Sequence, residues 1–334
     1  MLQAPPPDEI RKLFPKSIPV GIQFGVVIVV IEGKNFEVAT FRKDHPYIDG
    51  RHPEGIDFSN PEKDAQRRDF TINGMFYDPL TDTLYDYVEG KKDLEKQIIR
   101  AIGNPELRFQ EDKLRLLRAI RFAYRLGFTI EQATEKAIEK LSSTLLPAVS
   151  FERIWQELSK MALSPHFNES LVTMHKLGLL STIFPELKEI SSEEIEKRTA
   201  FFPNVPPNCP TIVFLLELLP SFLLEDHIAL CRYLKTKNEE IKLACFFFNS
   251  KALFKQEAEP VEWAHFYSHP YASLFLEVEG AKLEVSGRKL FFQKHEIRKR
   301  HLCILLFQTT QAVPLMTNEQ RVMRFELTTL TLAT

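Results

Sequence analysis

Glu111-Asp112-Lys113-Leu114-Arg115-Leu116-Leu117-Arg118-Ala119-Ile120-Arg121-Phe122-Ala123-Tyr124-Arg125-Leu126-Gly127 is the stretch at which the chain changes character. Upstream, β-branched runs alternate with turn residues. From Glu111 onward the apolar spacing is helical and stays so. On a 3.6-residue wheel Leu117, Ile120 and Tyr124 share one face, while Arg115, Arg118, Arg121 and Arg125 line the other. Gly127 suits the C′ position that ends such a helix. Asp112 and Arg115 stand three residues apart, which on a continuous helix turns both side chains to one side. A carboxylate there accepts from an exocyclic amine, and a guanidinium donates to ring nitrogens or a carbonyl oxygen. Such a pair can read the edge of a nucleobase; standing alone, it reads far more readily as an intrahelical salt bridge on a solvated face.

Working back towards the N-terminus, Val26–Ile31 and Phe36–Phe41 are two strand-forming runs, and Glu32-Gly33-Lys34-Asn35 between them predicts a hairpin. The polar run Phe41–Pro61, with Gly50, Pro53 and Gly55, reads as a long loop. Asp64–Asn73 predicts a short helix, and Thr83–Tyr87 and Ile98–Ile102 predict short strands. Towards the C-terminus, helices are expected at about Ile130–Leu141, Phe151–Leu163 and Glu169–Leu177. Further helices are expected to about residue 310, broken at Pro203–Pro210 and at Pro270. The expected fold is therefore α+β, a small mixed head followed by an all-helical remainder.

Composition narrows the function. At 334 residues, with 44% apolar and 26% charged side chains, the chain can bury two or three cores. A net charge of −2 excludes a global basic field, so any nucleic-acid contact must come from local patches. The 27 phenylalanines, against 2 tryptophans, lie mostly in apolar runs of the second half and read as core packing. Cys209, Cys231, Cys245 and Cys303 form no Cys-x-x-Cys pair, which argues against structural zinc and for reduced thiols in a cytoplasmic protein. The N-terminus has no signal-peptide pattern, and Leu215–Leu224 is too short and interrupted to span a membrane.

Several motifs then occur together and in order. They are Glu37-Val38-Ala39-Thr40-Phe41-Arg42, Arg67-Arg68-Asp69-Phe70-Thr71-Ile72-Asn73, Asp93-Leu94, Arg108-Phe109, Glu111–Phe122 and Phe151-Glu152-Arg153-Ile154. From about Ala4 to Lys160 the chain resembles the class II family of tRNA nucleotidyltransferases and bacterial poly(A) polymerases. That resemblance implies an incomplete nucleotidyltransferase head of polymerase-beta-like type over 1–90. A helical neck over 91–165 would select the nucleotide and bind RNA, and a helical body and tail would fill 166–334. Asp112 and Arg115 match the pair that selects ATP or CTP. Arg108 and Arg118 would face the triphosphate or the RNA backbone, and Arg68, Asp69 and Asn73 would hold sugar and phosphates. Glu37 matches the third carboxylate beside the Mg²⁺ site. From the residues alone Glu37 is equally an exposed strand-end side chain. Arg42–Arg51 resembles the loop beside the catalytic centre.

The implied partners are ATP, CTP and tRNA or other RNA 3′ ends. RNA contact is expected from Arg121 and Arg125. A second basic cluster, formed by Arg288, Lys289, Lys294, Arg298, Lys299 and Arg300 with His295 and His301, is either a phosphate-binding surface or a solvated helix face. No membrane contact is expected. The family's Asp-x-Asp pair does not occur in a suitable setting, and Ala4–Phe14 resembles the segment that follows it. A start upstream of Met1 and a truncated remnant are both open, and this polypeptide is expected to be catalytically impaired because one carboxylate holds Mg²⁺ poorly. Arg321–Thr334 is expected to be a cut or shifted end. Activity as a CCA-adding enzyme or poly(A) polymerase, a non-catalytic RNA-binding role, and a helical interaction protein remain the three readings. Gly21–Val27 leans towards CCA addition.

Overall fold

Why the chain begins with strands is visible in Val26–Ile31, where alternate side chains face opposite ways. The computed structural model describes residues 5–45 and 54–312, with side chains to residue 302. Within it, α1 (Pro7–Leu13) lies on a three-stranded antiparallel sheet of β1 (Ser17–Ile18), β2 (Val26–Ile31) and β3 (Lys34–Ala39), in the order β1-β2-β3. Val27 and Val29 of β2 and Ile10 of α1 form a small buried core, which Ile22 and Val38 complete. The hairpin between β2 and β3 is tighter than the sequence suggested. Ile31 pairs with Lys34, so only Glu32 and Gly33 turn, both with positive φ (50° and 76°). Lys34 and Asn35 therefore belong to β3 rather than to the turn.

Within the polar run Phe41–Pro61, β4 (Arg42–Asp44) and β5 (Ile56–Phe58) pair antiparallel. Residues 46–53 of the expected loop lie outside the described residues, as does Arg321–Thr334. The helix expected over Asp64–Asn73 is shorter and earlier, as α2 (Pro61–Gln66), because Asn60 caps its N-terminus at Lys63 N and Pro61 suits the first turn. A hairpin of β6 (Met75–Asp78) and β7 (Thr83–Asp86) follows, then α3 (Gly90–Glu95) and β8 (Ile98–Ile99). At Gly90 any Cβ would meet the Thr71 carbonyl at 2.3 Å, so only glycine allows α3 to approach that closely.

Two helices then take the place of the single one expected from Glu111. The first, α4 (Pro105–Glu111), starts at Asn104, whose side chain accepts from Leu107 N. It ends at Asp112, which is extended (φ −141°, ψ 105°), and α5 (Leu114–Leu126) starts afresh. Gly127 closes α5 with φ 70°, as expected. Next come β9 (Thr129–Ile130), parallel to β8, and α6 (Gln132–Leu141), α7 (Phe151–Met161), α8 (Phe167–Lys176) and α9 (Leu179–Ile183). Phe70, Phe109, Leu116, Leu117 and Ile120 are among the largest fully buried side chains, so the core of this region sits around α5.

The chain divides into two compact units, Met1–Ile195 and Glu196–Thr334. The second is helical, with α11 (Thr211–Leu218), α12 (Leu224–Tyr233), α13 (Asn238–Lys255), α14 (Pro260–Ser268), α15 (Ala272–Ala281) and α16 (Val285–Ala312) following α10 (Ser192–Thr199). Its phenylalanines pack as expected. Phe246, Phe254, Phe266 and Phe275 make edge-to-face and stacked contacts in one cluster with Trp263. Glu217 is buried and ion-paired with both Lys251 (2.7 Å) and Lys282 (2.9 Å). No described helix is long and apolar enough to cross a membrane. The architecture is α+β, as read from the sequence.

One expectation along α5 is overturned. Arg121 is buried, and its Nε donates to Glu157 of α7, itself buried, so it faces the core rather than RNA. Arg125 is exposed near the end of the helix. Arg121→Ala is predicted to destabilise the first unit by about 3 kcal/mol, because Glu157 then keeps only the half-exposed Lys160. Arg125→Ala is predicted to change stability by no more than about 0.5 kcal/mol. Urea unfolding of both variants checks the contrast.

Candidate nucleotide site

The break at Asp112 builds the site. Because the residue is extended, its Oδ1 accepts from Leu114 N at 3.1 Å and satisfies a free N–H of the first turn of α5. Its Oδ2 accepts from Arg153 Nη2 of α7 at 3.3 Å. Arg115, one turn into α5, is buried and its Nη1 donates to Arg108 O (2.8 Å) and Glu111 Oε2 (2.7 Å). Its Nη2 donates to Arg67 O at 3.0 Å. A guanidinium has five N–H groups, and these three bonds leave the Nε–H and one Nη2–H. Asp112 and Arg115 do not share a helix, yet both line one pocket of about 480 Å³ with Arg67, Arg68, Asp69, Asn73, Arg118 and Phe122. Four arginines against two aspartates make that pocket electropositive, which suits a phosphorylated ligand.

Asp69 fixes the other wall. Its Oδ2 accepts from Arg118 Nε at 2.8 Å and also from Arg118 Nη2, and its Oδ1 accepts from Asn73 Nδ2 (3.0 Å) and Phe70 N (2.9 Å). Burial pulls its carboxyl pKa upward, but the Arg118 charge and the hydrogen bonds from Asn73, Arg118 and Phe70 N outweigh it and hold the group below the usual aspartate value. Arg118 also lies over the Phe122 ring at 5.2 Å. Arg68 donates to Asn73 O at 2.9 Å and lies over Phe76 at 4.7 Å.

Other expected site residues sit elsewhere. Arg108 is turned away from the pocket. Its Nε and Nη2 donate to the carbonyls of Ile102 (3.1 Å) and Gln66 (2.7 Å), and Nη1 pairs with Glu111 (2.8 Å). It fastens α4 to the neighbouring segments and is not among the residues that line the pocket. Glu37 is exposed on β3, opposite Ile28, and does not line the pocket. Among the described residues no group of three or more His, Cys, Asp or Glu side chains is placed to hold a metal ion.

In the second unit the basic cluster is divided. Arg288 donates to the carbonyls of Gly280 (3.0 Å), Ala281 (3.3 Å) and Leu283 (3.4 Å), which ties down the end of α15. Arg298 lies over Trp263 at 4.0 Å and Arg300 pairs with Glu296 at 3.1 Å. Lys289 is exposed and Lys299 half-buried. His295 is not part of a charged surface. It is buried, its Nδ1 lies 2.7 Å from the Tyr267 hydroxyl, and burial, with Arg298 and Lys294 nearby, lowers its pKa to about 4.

Sequence reading passed over Glu111, Arg67, Phe122 and Arg153 as site residues. Glu111 and Arg67 sit inside the two decisive motifs, so adjacency was the available signal. Arg153 lies 41 residues from Asp112 and its pairing follows only from how α7 packs.

The Asp69–Arg118 pair predicts a pH signature. A carboxyl held below its unfolded value adds stability at pH above about 4, and that contribution disappears as pH falls through the folded value. Arg118→Ala removes the charge partner and leaves the burial, so the Asp69 pKa is predicted to rise. The variant should be about 2 kcal/mol less stable at pH 7. Its deficit should shrink as the pH is lowered towards 4 and Asp69 takes up a proton. Unfolding midpoints measured across that range would show a pH-independent deficit if the pairing were unimportant.

Residues 2–100 match the poly A polymerase head domain, and residues 127–191 match the "Probable RNA and SrmB- binding site of polymerase A". The CCA-adding enzyme of Lactobacillus helveticus is 34% identical over 318 residues, covering 87% of this chain and 77% of that protein. The CCA-adding enzyme of Geobacillus thermodenitrificans is 42% identical over 184 residues, covering 55% of this chain and 45% of that one. The crystal structure of the Bacillus stearothermophilus CCA-adding enzyme in complex with CTP superposes with a TM-score of 0.70 at 26% identity, over 90% of this chain and 72% of that one. A Thermotoga maritima CCA-adding enzyme complexed with tRNA, at 21% identity and a TM-score of 0.64, shares the fold. The chain belongs to the family of CCA-adding enzymes and poly(A) polymerases, nucleotidyltransferases that act on RNA 3′ ends.

Proposed function

We propose that this chain selects CTP and ATP for addition to the 3′ end of tRNA or another RNA, reading the base with protein groups. The observation that carries this reading is the placing of Asp112 and Arg115 in one electropositive pocket with Arg68, Asp69, Asn73 and Arg118. Cytosine and adenine each present an exocyclic amine next to a ring nitrogen acceptor. The carboxylate of Asp112 retains lone pairs for the amine, and Arg115 retains an Nε–H and an Nη2–H for the acceptor. Arg118 and Arg68 then lie where a triphosphate and ribose would be held, with charge-assisted bonds that do not depend on the base. The CTP-bound relative supports CTP as a ligand, and the CCA-adding relatives favour CCA addition over long A-tails.

RNA contact in this reading falls to the exposed Arg125, Lys289 and Arg300 and the half-buried Lys299. A cytoplasmic setting fits the unpaired thiols of Cys209, Cys231 and Cys245. Burial, with acidic neighbours, pushes the Cys209 thiol up to about 12, which keeps it protonated and inert at neutral pH. In the family reading Mg²⁺ would activate the RNA 3′-hydroxyl and neutralise the triphosphate. Glu37 alone is a poor ligand set, so we assign no step to the metal here. A second reading is a chain that binds nucleotide and RNA but incorporates poorly.

Filter binding of labelled CTP and ATP tests the main reading. Asp112→Ala and Arg115→Ala are each predicted to weaken binding at least 10-fold, in line with about 1.4 kcal/mol for each hydrogen-bonded group lost. Equal binding by wild type and both variants would refute base reading by this pair. Incubating the chain with Mg²⁺, CTP, ATP and tRNA lacking its 3′ CCA separates the two readings. Addition of a short defined tail establishes the transferase, and binding without addition establishes the second.

A further inference from the structure

Asp64 is 1% exposed within α2, outside the pocket lining, and its carboxylate accepts four N–H bonds. Arg67 Nε (2.9 Å), Arg67 Nη2 (2.7 Å) and the backbone N of Arg42 (3.1 Å) share its Oδ1, and Arg68 Nε (3.0 Å) binds its Oδ2. The network extends to β4. Arg67 Nε also donates to Arg42 O at 3.2 Å, and Arg42 Nε pairs with Asp44 Oδ1 at 2.9 Å. Three guanidiniums thus converge on two carboxylates, and both Arg67 and Arg68 go on to line the nucleotide pocket.

Arg67 has a second bond that matters more. Its backbone carbonyl accepts from Arg115 Nη2 at 3.0 Å, so the position of Arg67 sets one of the bonds that orient the base-facing guanidinium. The path runs Asp64 carboxylate, Arg67 guanidinium, Arg67 carbonyl, Arg115 Nη2. The geometry points to Asp64 as a positioning residue for base selection: it lies outside the pocket lining, yet it fixes Arg67, at the C-terminal end of α2, against which Arg115 is aimed. The same carboxylate holds the Arg42 backbone, so the β4–β5 hairpin and the base-reading arginine are anchored to a single buried group.

A carboxylate is needed rather than any polar side chain. Four donors converge on it, and an amide would present an NH₂ group to one of them and leave an arginine without its counter-charge. A group that only supported the fold would change affinity for all nucleotides alike. A group that aims Arg115 changes the ratio between nucleotides.

This inference rests on the proposed reading of Asp112 and Arg115, and the test keeps the two apart. CTP and UTP binding would be measured for wild type, Asp64→Asn, Arg115→Ala and the double variant, with circular dichroism of each. Asp64→Asn is expected to reduce the CTP-over-UTP preference at least 10-fold, and to add nothing in the Arg115→Ala background. If Asp64→Asn keeps the wild-type preference while Arg115→Ala loses it, the positioning role is overturned and the base-reading pair stands. If Arg115→Ala also keeps the preference, both fall. Should Asp64→Asn fail to fold, Arg67→Lys keeps the charge but loses the two-pronged bond to Asp64. The same loss of preference is expected of it, and an unchanged preference overturns the proposal.

Discussion

The first unit depends on keeping the Asp69 carboxylate ionised while it is buried. Alone, that burial would favour the protonated form and cost several kcal/mol if the charge persisted. Arg118 of α5 supplies the opposing charge, and Asn73 and Phe70 N supply hydrogen bonds. The backbone of Asp69 is equally committed, since its carbonyl accepts from Ile102 N at 3.1 Å. Thr71 N donates to Arg100 O at 3.0 Å, and Phe70 and Ala101 form a β-bridge. One short segment is thereby stitched to residues 100–102 through its backbone and to α5 through its side chain. The pocket wall and the packing around Phe70 are two consequences of one set of bonds.

The four arginines of α5 show how charge compensation divides roles along a single helix. Arg121 meets Glu157 inside the core and serves the fold. Arg118 meets Asp69 at the pocket wall and keeps about a third of its side chain exposed. Arg115 is buried like Arg121, but two of its three bonds go to backbone carbonyls, so less of its charge is neutralised. Arg125 is exposed at the end of the helix. Burial alone therefore does not separate the core arginine from those of the pocket: Arg115 and Arg121 are both buried, and of the two Arg115 lines the pocket.

Much of this was legible in the sequence. The α+β division, the β2–β3 hairpin, the helical character from Glu111 onward and Gly127 as a helix terminator all follow from periodicity and turn chemistry. The family follows from motif order. What periodicity did not reveal was the break at Asp112. Leu107, Leu114 and Leu117 keep helical spacing across it, while in the structure the Asp112 side chain accepts from Leu114 N where α4 gives way to α5. The carbonyl bonds of Arg108 and Arg288 were equally out of reach, since an arginine's acceptors do not show in its sequence neighbourhood. Arg121 was misread because its partner lies 36 residues away. Asp64 was unreadable as a node, since its role depends on two guanidiniums and the Arg42 backbone converging on it in space.

The central claim is that the protein itself reads the base through Asp112 and Arg115. The most direct test is to measure the affinities of CTP, ATP, UTP and GTP for the unmodified chain under one salt condition. CTP and ATP share an amine beside a ring acceptor, whereas UTP and GTP place a carbonyl oxygen opposite the Asp112 carboxylate. The account predicts that CTP and ATP bind at least 10-fold more tightly than UTP and GTP. Four equal affinities would mean that the arginines grip only the triphosphate, and would contradict it.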